Sequence, residues 1–268
     1  MERAKKSLNG LGEVIADVAK IKRDFAAKAF QRADESIEPP RDVFRNACLT
    51  IAESFAQRGF KFLKSDPLLA RKRGDWTDRV CFLTNHYNVR GSYVELEVTA
   101  IVANTRVKKL RQSGQSPFAY SVTWGSIAGR QIGDPSNPNV WITWNLADPA
   151  DREAIIADVV AHIDQVALPF FERFESYAAL ASGFFETEIE GIDACEVIDL
   201  LICYEGPAAA ARYVDRWCEW HPGLVPHIAA ELAQMQRRGR PERPSGSVEI
   251  IAAAIMFYAL PVTRVPTE

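Results

Sequence analysis

Neither of the glycine-rich phosphate loops, G-x-x-x-x-G-K-[ST] or G-x-G-x-x-G, occurs in this chain. Those loops need a strand that runs into a helix N-terminus, so that free backbone N–H groups meet the phosphate. Gly125, Gly129 and Gly133 fall instead in a stretch that reads as a loop between two strands. The G-x-S-x-G elbow of serine hydrolases is missing too, and GSIAG at 125–129 puts its serine in the wrong place. Histidine is scarce, with 4 residues, and the 5 cysteines are odd in number and irregularly spaced. A disulfide framework is therefore not expected. Cys48, Cys81, Cys195, Cys203 and Cys218 each sit in an apolar stretch, where free cysteine behaves as a small hydrophobe. Free thiols point to a reducing compartment, so a cytoplasmic location is expected.

Long apolar runs are lacking as well. The longest, Ile250 to Val262, has 13 residues, short of the roughly 20 that a membrane-spanning helix needs. The opening MERAKKSLNGLGE has no apolar core or small-residue cleavage site, so no secretory leader and no membrane segment are expected.

What is present is an ordinary globular composition: 268 residues, 47% hydrophobic and 25% charged. A chain of this size buries about three quarters of its unfolded surface, so neither metal nor disulfide is needed as a staple. The net charge of −3 hides a strong asymmetry. Residues 59–118 hold 11 Lys/Arg against 5 Asp/Glu, while residues 145–222 hold 4 Arg against 16 Asp/Glu. Such segregation bears on partners and association rates more than on fold.

Leu11, Val14, Ile15, Val18, Ile21, Phe25 and Phe30 recur at helical spacing, predicting an amphipathic N-terminal helix over 10–31. Pro39-Pro40 breaks it. A second helix is predicted from about Asp42, with Gly59 as its C-cap. The period then changes to two. Short strands are predicted at 60–64 and 68–73 around Asp66-Pro67, and a long strand at Tyr93–Ala103. The long strand alternates Val94, Leu96, Val98, Ala100 and Val102 with polar residues and pairs with 79–88 as a hairpin through Gly91. Strands rich in aromatics are predicted at about 117–124 and 139–145, with Gly125–Asn139 as a loop. Beyond this the chain is predicted helical, from Asp148-Pro149 to Leu180 with an interruption at Pro169. Further helices are expected at about 193–204, 207–220 and 224–236, then a linker at 237–246 and a last apolar segment at 247–260. Consecutive strands without intervening helices predict an α+β fold: an antiparallel sheet of about five or six strands packed against helices, with a helical C-terminal half. The expected organisation is an N-terminal helix over 1–38, an α+β domain over 39–182 and a helical region over 183–268.

No catalytic, cofactor or metal site is predicted. Cys218, His221 and His227 give C-x2-H-x5-H around a Pro-Gly turn, which is zinc chemistry without a fourth local ligand and reads equally as a helix-to-helix turn. Cys81 and His86 lie five apart on one predicted strand and so face opposite sides. Glu95 and Glu97 share a strand face, which would raise one pKa under a cleft and mean nothing if solvated. Arg71, Lys72, Arg73, Arg106, Lys108, Lys109 and Arg111 could neutralise phosphates, but the acidic half argues against a nucleic-acid partner, and a basic sheet edge explains them as well. Trp124, Trp141 and Trp144 suggest an aromatic sheet face that could hold a small ligand; the alternative is core.

The acidic half is the preferred candidate. Glu186, Glu188, Glu190, Asp193, Glu196, Asp199, Asp215 and Glu219 would together project negative potential, which speeds association with a basic protein. The alternative is solubility charge on exposed helix faces.

Residues 44–180 bring a further expectation. A helix ending in Gly59-Phe60-Lys61, short strands carrying Arg71 and Arg73, a long hairpin and two helices resemble a widespread bacterial α+β domain of unknown function. Members of that group are suspected immunity proteins against polymorphic or contact-dependent toxins. The resemblance implies a protein-binding factor, an immunity protein or antitoxin with a basic toxin or enzyme as partner. It carries over no functional residue.

Overall fold

The computed structural model describes residues 37–118, 125–134, 137–189, 191–239 and 244–266. The helix predicted over 10–31 lies outside them, as do Tyr120, Trp124 and Glu190.

Helix α1, Pro40–Phe55, opens on a proline, whose fixed φ suits a first turn. It buries Val43, Phe44, Ala47, Cys48, Ile51, Ala52 and Phe55 along one stripe. A turn of 3-10 helix follows, and Gly59 closes it at φ +80°, the left-handed region that favours glycine.

Strand β1 spans Lys61–Leu63, β2 Leu68–Arg73, β3 Trp76–Leu83 and β4 Glu95–Asn104, all antiparallel neighbours in chain order. In β3, Trp76, Asp78, Val80 and Phe82 are buried and alternate with half-buried residues. They stand opposite Asn104, Val102, Ala100 and Val98 of β4, so one face of the hairpin belongs to the core.

Helix α2, Thr105–Gln112, follows β4 directly. Asn104 starts it, its side-chain oxygen accepting from Arg106 N and Val107 N. Of the basic residues read above as a sheet edge, Arg106, Lys108, Lys109 and Arg111 are therefore helical, while Arg71, Lys72 and Arg73 lie on β2. Strand β5, Ser126–Gln131, and β6, Gly133–Asp134, replace the predicted loop. β5 adds to the far side of β4, β6 pairs with β7, Asn137–Trp141, and β8, Trp144–Asn145, pairs with the start of β4. The short, glycine-interrupted β5 hides from sequence because its hydrogen-bond partner, β4, is more than 20 residues away along the chain.

The rest is helical: α3 Arg152–His162, a π-helical turn Ile163–Ala167, α4 Leu168–Glu172 and α5 Tyr177–Ala181. They are followed by α6 Ala194–Tyr204, α7 Pro207–Trp220, α8 Val225–Arg238 and α9 Ser247–Tyr258. The stretch Arg152–Glu172 is long and apolar enough, by length and composition, to cross a membrane. In this fold its Val159, Ile163, Ala167, Phe170 and Phe171 are buried in the protein core. Asp148 accepts from Ala150 N rather than capping α3, and the helix ends before Tyr177 because Ser176 begins α5 anew.

The result is an α+β fold with an antiparallel sheet and a helical C-terminal half. The core is continuous from Val43 on α1 to Val265 near the C-terminus.

Candidate functional site

The fold sorts seven of the eight candidate carboxylates, all but Glu190, into distinct environments. Asp199, on α6, is fully buried and so cannot belong to a partner-binding surface. Its carboxylate accepts from Arg111 Nε at 2.7 Å, Tyr258 OH at 2.7 Å and Ser116 Oγ at 3.0 Å. Burial pushes this carboxyl above the ordinary aspartate range, while the hydrogen bonds from Arg111, Tyr258 and Ser116 oppose the shift. Glu196 is also turned inward, with 12% side-chain exposure, 3.2 Å from Arg111 Nη2. Leucine-like positions on α6 carry these acids because a buried arginine waits opposite them. No local pattern announces that.

Two more carboxylates are spent on the C-terminal segment. Asp215 accepts from Thr263 N at 2.8 Å, Thr263 Oγ1 at 2.9 Å and Arg264 N at 2.9 Å. Glu219 is held by Arg264 Nη2 at 2.6 Å and Arg216 Nη1 at 2.7 Å. Only a diminished acidic surface survives this pairing. Glu188 is exposed and pairs with His221 Nε2 at 2.8 Å. Glu186 and Asp193 are exposed and make no side-chain hydrogen bond or ion pair among the described residues.

Two of these three remaining acids, Glu188 and Asp193, share one place. A groove of about 590 Å³ is lined by Glu188 and Asp193, by Phe184 and Ile189 ahead of α6, by Val197 on α6, by Tyr213 and Trp217 on α7 and by Ile250 on α9. Phe184, Val197, Tyr213 and Trp217 are buried and form an apolar, aromatic floor. His221 stacks on Trp217 with ring centroids 4.3 Å apart, and so fixes the Glu188 carboxylate at the rim. Burial, and next the Glu188 charge, push the Tyr213 phenol up, so it stays a neutral hydrogen-bonding group. The first residues of α6 and α9, Ala194 and Ser247, also line the groove. Each helix N-terminus carries about half a positive charge, against a full negative charge on each of Glu188 and Asp193, so the rim remains anionic.

The basic half is neutralised in the same way. Arg71 and Arg73 both reach the buried Asp78, Nη2 to Oδ2 at 2.9 Å and Nη2 to Oδ1 at 2.6 Å respectively. Arg106 pairs with Asp75 at 2.7 Å and lies over the Tyr204 ring. Arg111 is buried altogether. A phosphate-tracking stripe across these residues has lost four of its seven cations to intramolecular partners.

The remaining candidates do not assemble. Burial pushes the Cys81 and Cys218 thiols to about 11 and those of Cys48 and Cys203 to about 12, and raises Cys195 as well, which disfavours the nucleophilic thiolate. Among the described residues no group of three or more His, Cys, Asp or Glu side chains is placed to hold a metal, and His221 of the C-x2-H-x5-H stretch is turned to Glu188. Glu95 is buried and accepts from the Tyr93 hydroxyl. Trp144 is buried with its indole N–H on Asp158 at 2.7 Å, whereas Trp141 is 70% exposed, so these two do not form one aromatic face. The groove itself was invisible to sequence reasoning, since its floor and rim come from four separate segments. Comparison with family models, curated proteins and solved structures finds no match to this chain.

Proposed function

We propose that this chain is a protein-binding factor whose groove between the 184–193 segment, α6, α7 and α9 receives a cationic, partly apolar segment of a partner protein. One observation carries the reading. Two exposed acids, Glu188 and Asp193, line an aromatic-floored groove, and Asp193 makes no side-chain hydrogen bond or ion pair among the described residues. A lysine or arginine stem packs on apolar surface while its charged head meets a carboxylate, which suits this combination. Burial of the thiols, which disfavours cysteine nucleophiles, supports a binding role over covalent catalysis. The immunity or antitoxin setting, with a basic toxin enzyme as the partner and the cytoplasm as the location, is part of the same proposal. It is supported by the resemblance over residues 44–180 and by the irregular free cysteines.

Fluorescence polarisation with two labelled twelve-residue peptides, one alternating Lys and Leu and one alternating Glu and Leu, tests the groove. The Lys peptide should bind, the Glu peptide should not, and the double variant Glu188→Gln/Asp193→Asn should weaken the Lys peptide about tenfold. Equal binding of both peptides, or no loss in the double variant, overturns the groove reading. Co-expression with the product of a neighbouring gene, where that gene encodes a secreted enzyme, tests the setting. Killing that is the same with and without this protein rules out the antitoxin role.

A further inference from the structure

A second site lies on the opposite side of the molecule's chemistry. Arg130 is on β5, an edge strand, opposite Ala100 of β4 and so on the face that the helices cover. It opens into a cleft of about 200 Å³ lined also by Gln165, Val166, Pro169, Phe170 and Arg173. The Nε–H of Arg130 is buried and, among the described residues, has no hydrogen-bond partner. A buried donor of a permanently charged group without an acceptor is costly and calls for an explanation. The wall opposite is the π-helical turn Ile163–Ala167, where Leu168 N donates to Ile163 O. Pro169 has no N–H with which to continue the α-helical ladder, so the helix widens there and presents Gln165 and Val166 to the cleft.

We infer that this cleft binds a small oxyanion, a carboxylate or phosphate group, with Arg130 as its fork and Arg173 and the Gln165 amide at its mouth. A guanidinium offers paired parallel donors that match the two oxygens of either anion. Val166, Pro169 and Phe170 would pack against whatever apolar body carries the anion, and the volume suits a metabolite of a few carbons rather than a cofactor. The competing explanation is that an inward-pointing charge on an edge strand simply discourages edge-to-edge pairing. Such a device needs no ligand, and the two accounts part in a titration.

Side-chain Nε–Hε resonances of arginine are observed directly by ¹⁵N–¹H NMR, so the probe is the proposed donor itself. Inorganic phosphate and succinate are titrated separately into the full chain at constant ionic strength set with chloride. One of them should shift the Arg130 Nε–Hε signal and the Val166 and Phe170 amides along one saturable curve. Saturation by phosphate alone assigns a phosphate ligand, and by succinate alone a carboxylate. Arg130→Gln should abolish the shifts at Val166 and Phe170, and Arg130→Lys, which keeps the charge and loses the fork, should weaken binding about tenfold. Where Arg130→Gln fails to fold, Arg173→Gln at the exposed mouth should weaken binding severalfold. The inference is overturned if neither anion moves the Arg130 signal. It is equally overturned if chloride competes as well as they do, or if the foldable variants bind as the parent does.

Discussion

The Nε of Arg111 lies 2.7 Å from Oδ2 of Asp199, with both side chains fully removed from solvent. These residues are 88 apart in sequence and come from the two halves whose opposite charges dominate the primary structure. What reads along the chain as a basic segment and an acidic segment is, at its centre, an internal ion pair. It joins α2 to α6, and Tyr258 and Ser116 tie α9 and the end of the α2 loop to the same carboxylate.

Removing one partner should leave an uncompensated buried charge. Arg111→Met and Asp199→Leu are each expected to cost about 3–5 kcal/mol, while the double variant should recover much of that loss. Urea unfolding of the three variants measures it. A single variant that loses less than about 1 kcal/mol would show that the pair contributes little to stability.

Two glycines at positive φ should respond differently to alanine. At Gly59 an added Cβ meets only the Arg71 side chain at 3.8 Å, so Gly59→Ala pays the left-handed backbone cost alone, about 1–2 kcal/mol. At Gly125 the Cβ would sit 2.6 Å from Lys108 Cβ and 2.9 Å from the Asn104 carbonyl oxygen. Gly125→Ala should therefore be the more damaging, shifting α2 or breaking its packing. Thermal melts that rank Gly59→Ala below Gly125→Ala would contradict this.

Alkaline stability follows from the thiols and from Tyr93. Burial holds Cys48, Cys81, Cys203 and Cys218 at about 11–12, and the hydrogen bond to Glu95 holds Tyr93 at about 12. Their unfolded values are about 9 and 10, so between pH 9 and 12 the folded state binds more protons than the unfolded state. Stability from these groups is complete below pH 9 and falls as pH rises through the folded values. Urea midpoints at pH 8, 9.5 and 11 should decline in that order, and iodoacetamide at pH 8 should label the folded protein far more slowly than the unfolded one.

The C-terminal segment is held through Asp215. Asp215→Ala removes the acceptor for two backbone N–H groups and one hydroxyl at Thr263 and Arg264. It should cost about 1–3 kcal/mol. Hydrogen exchange should speed up over 260–266 with α6 unaffected. Unchanged exchange at Thr263 and Arg264 would refute the tether.

Much of the local structure was legible from spacing alone. The stripe of α1, the Gly59 cap, the turn at Asp66-Pro67, the alternation of β4 and the helices α6, α7 and α8 all follow from periods of 3.6 and 2 and from caps within a few residues. Helix α2 was missed because its first turn has no acidic residue and its cap, Asn104, directly follows the predicted strand, which ends at Ala103. Strands β5 and β6 were missed because glycine weakens strand signals, and for β5 because its partner β4 is distant along the chain.

Sequence by itself therefore determined where the chain coils and where it extends, since those choices rest on side chains a turn or a strand pair apart. It also determined that charge is unevenly placed. Only the tertiary structure decided which charges are left to act: Asp199, Glu196, Asp215 and Glu219 are consumed by arginines or backbone donors brought from 45 to 88 residues away, whereas the exposed Glu188 and Asp193 stay at the groove. The physical reason is that a carboxylate's potential depends on burial and on its nearest cation, and both are set by contacts between elements far apart along the chain.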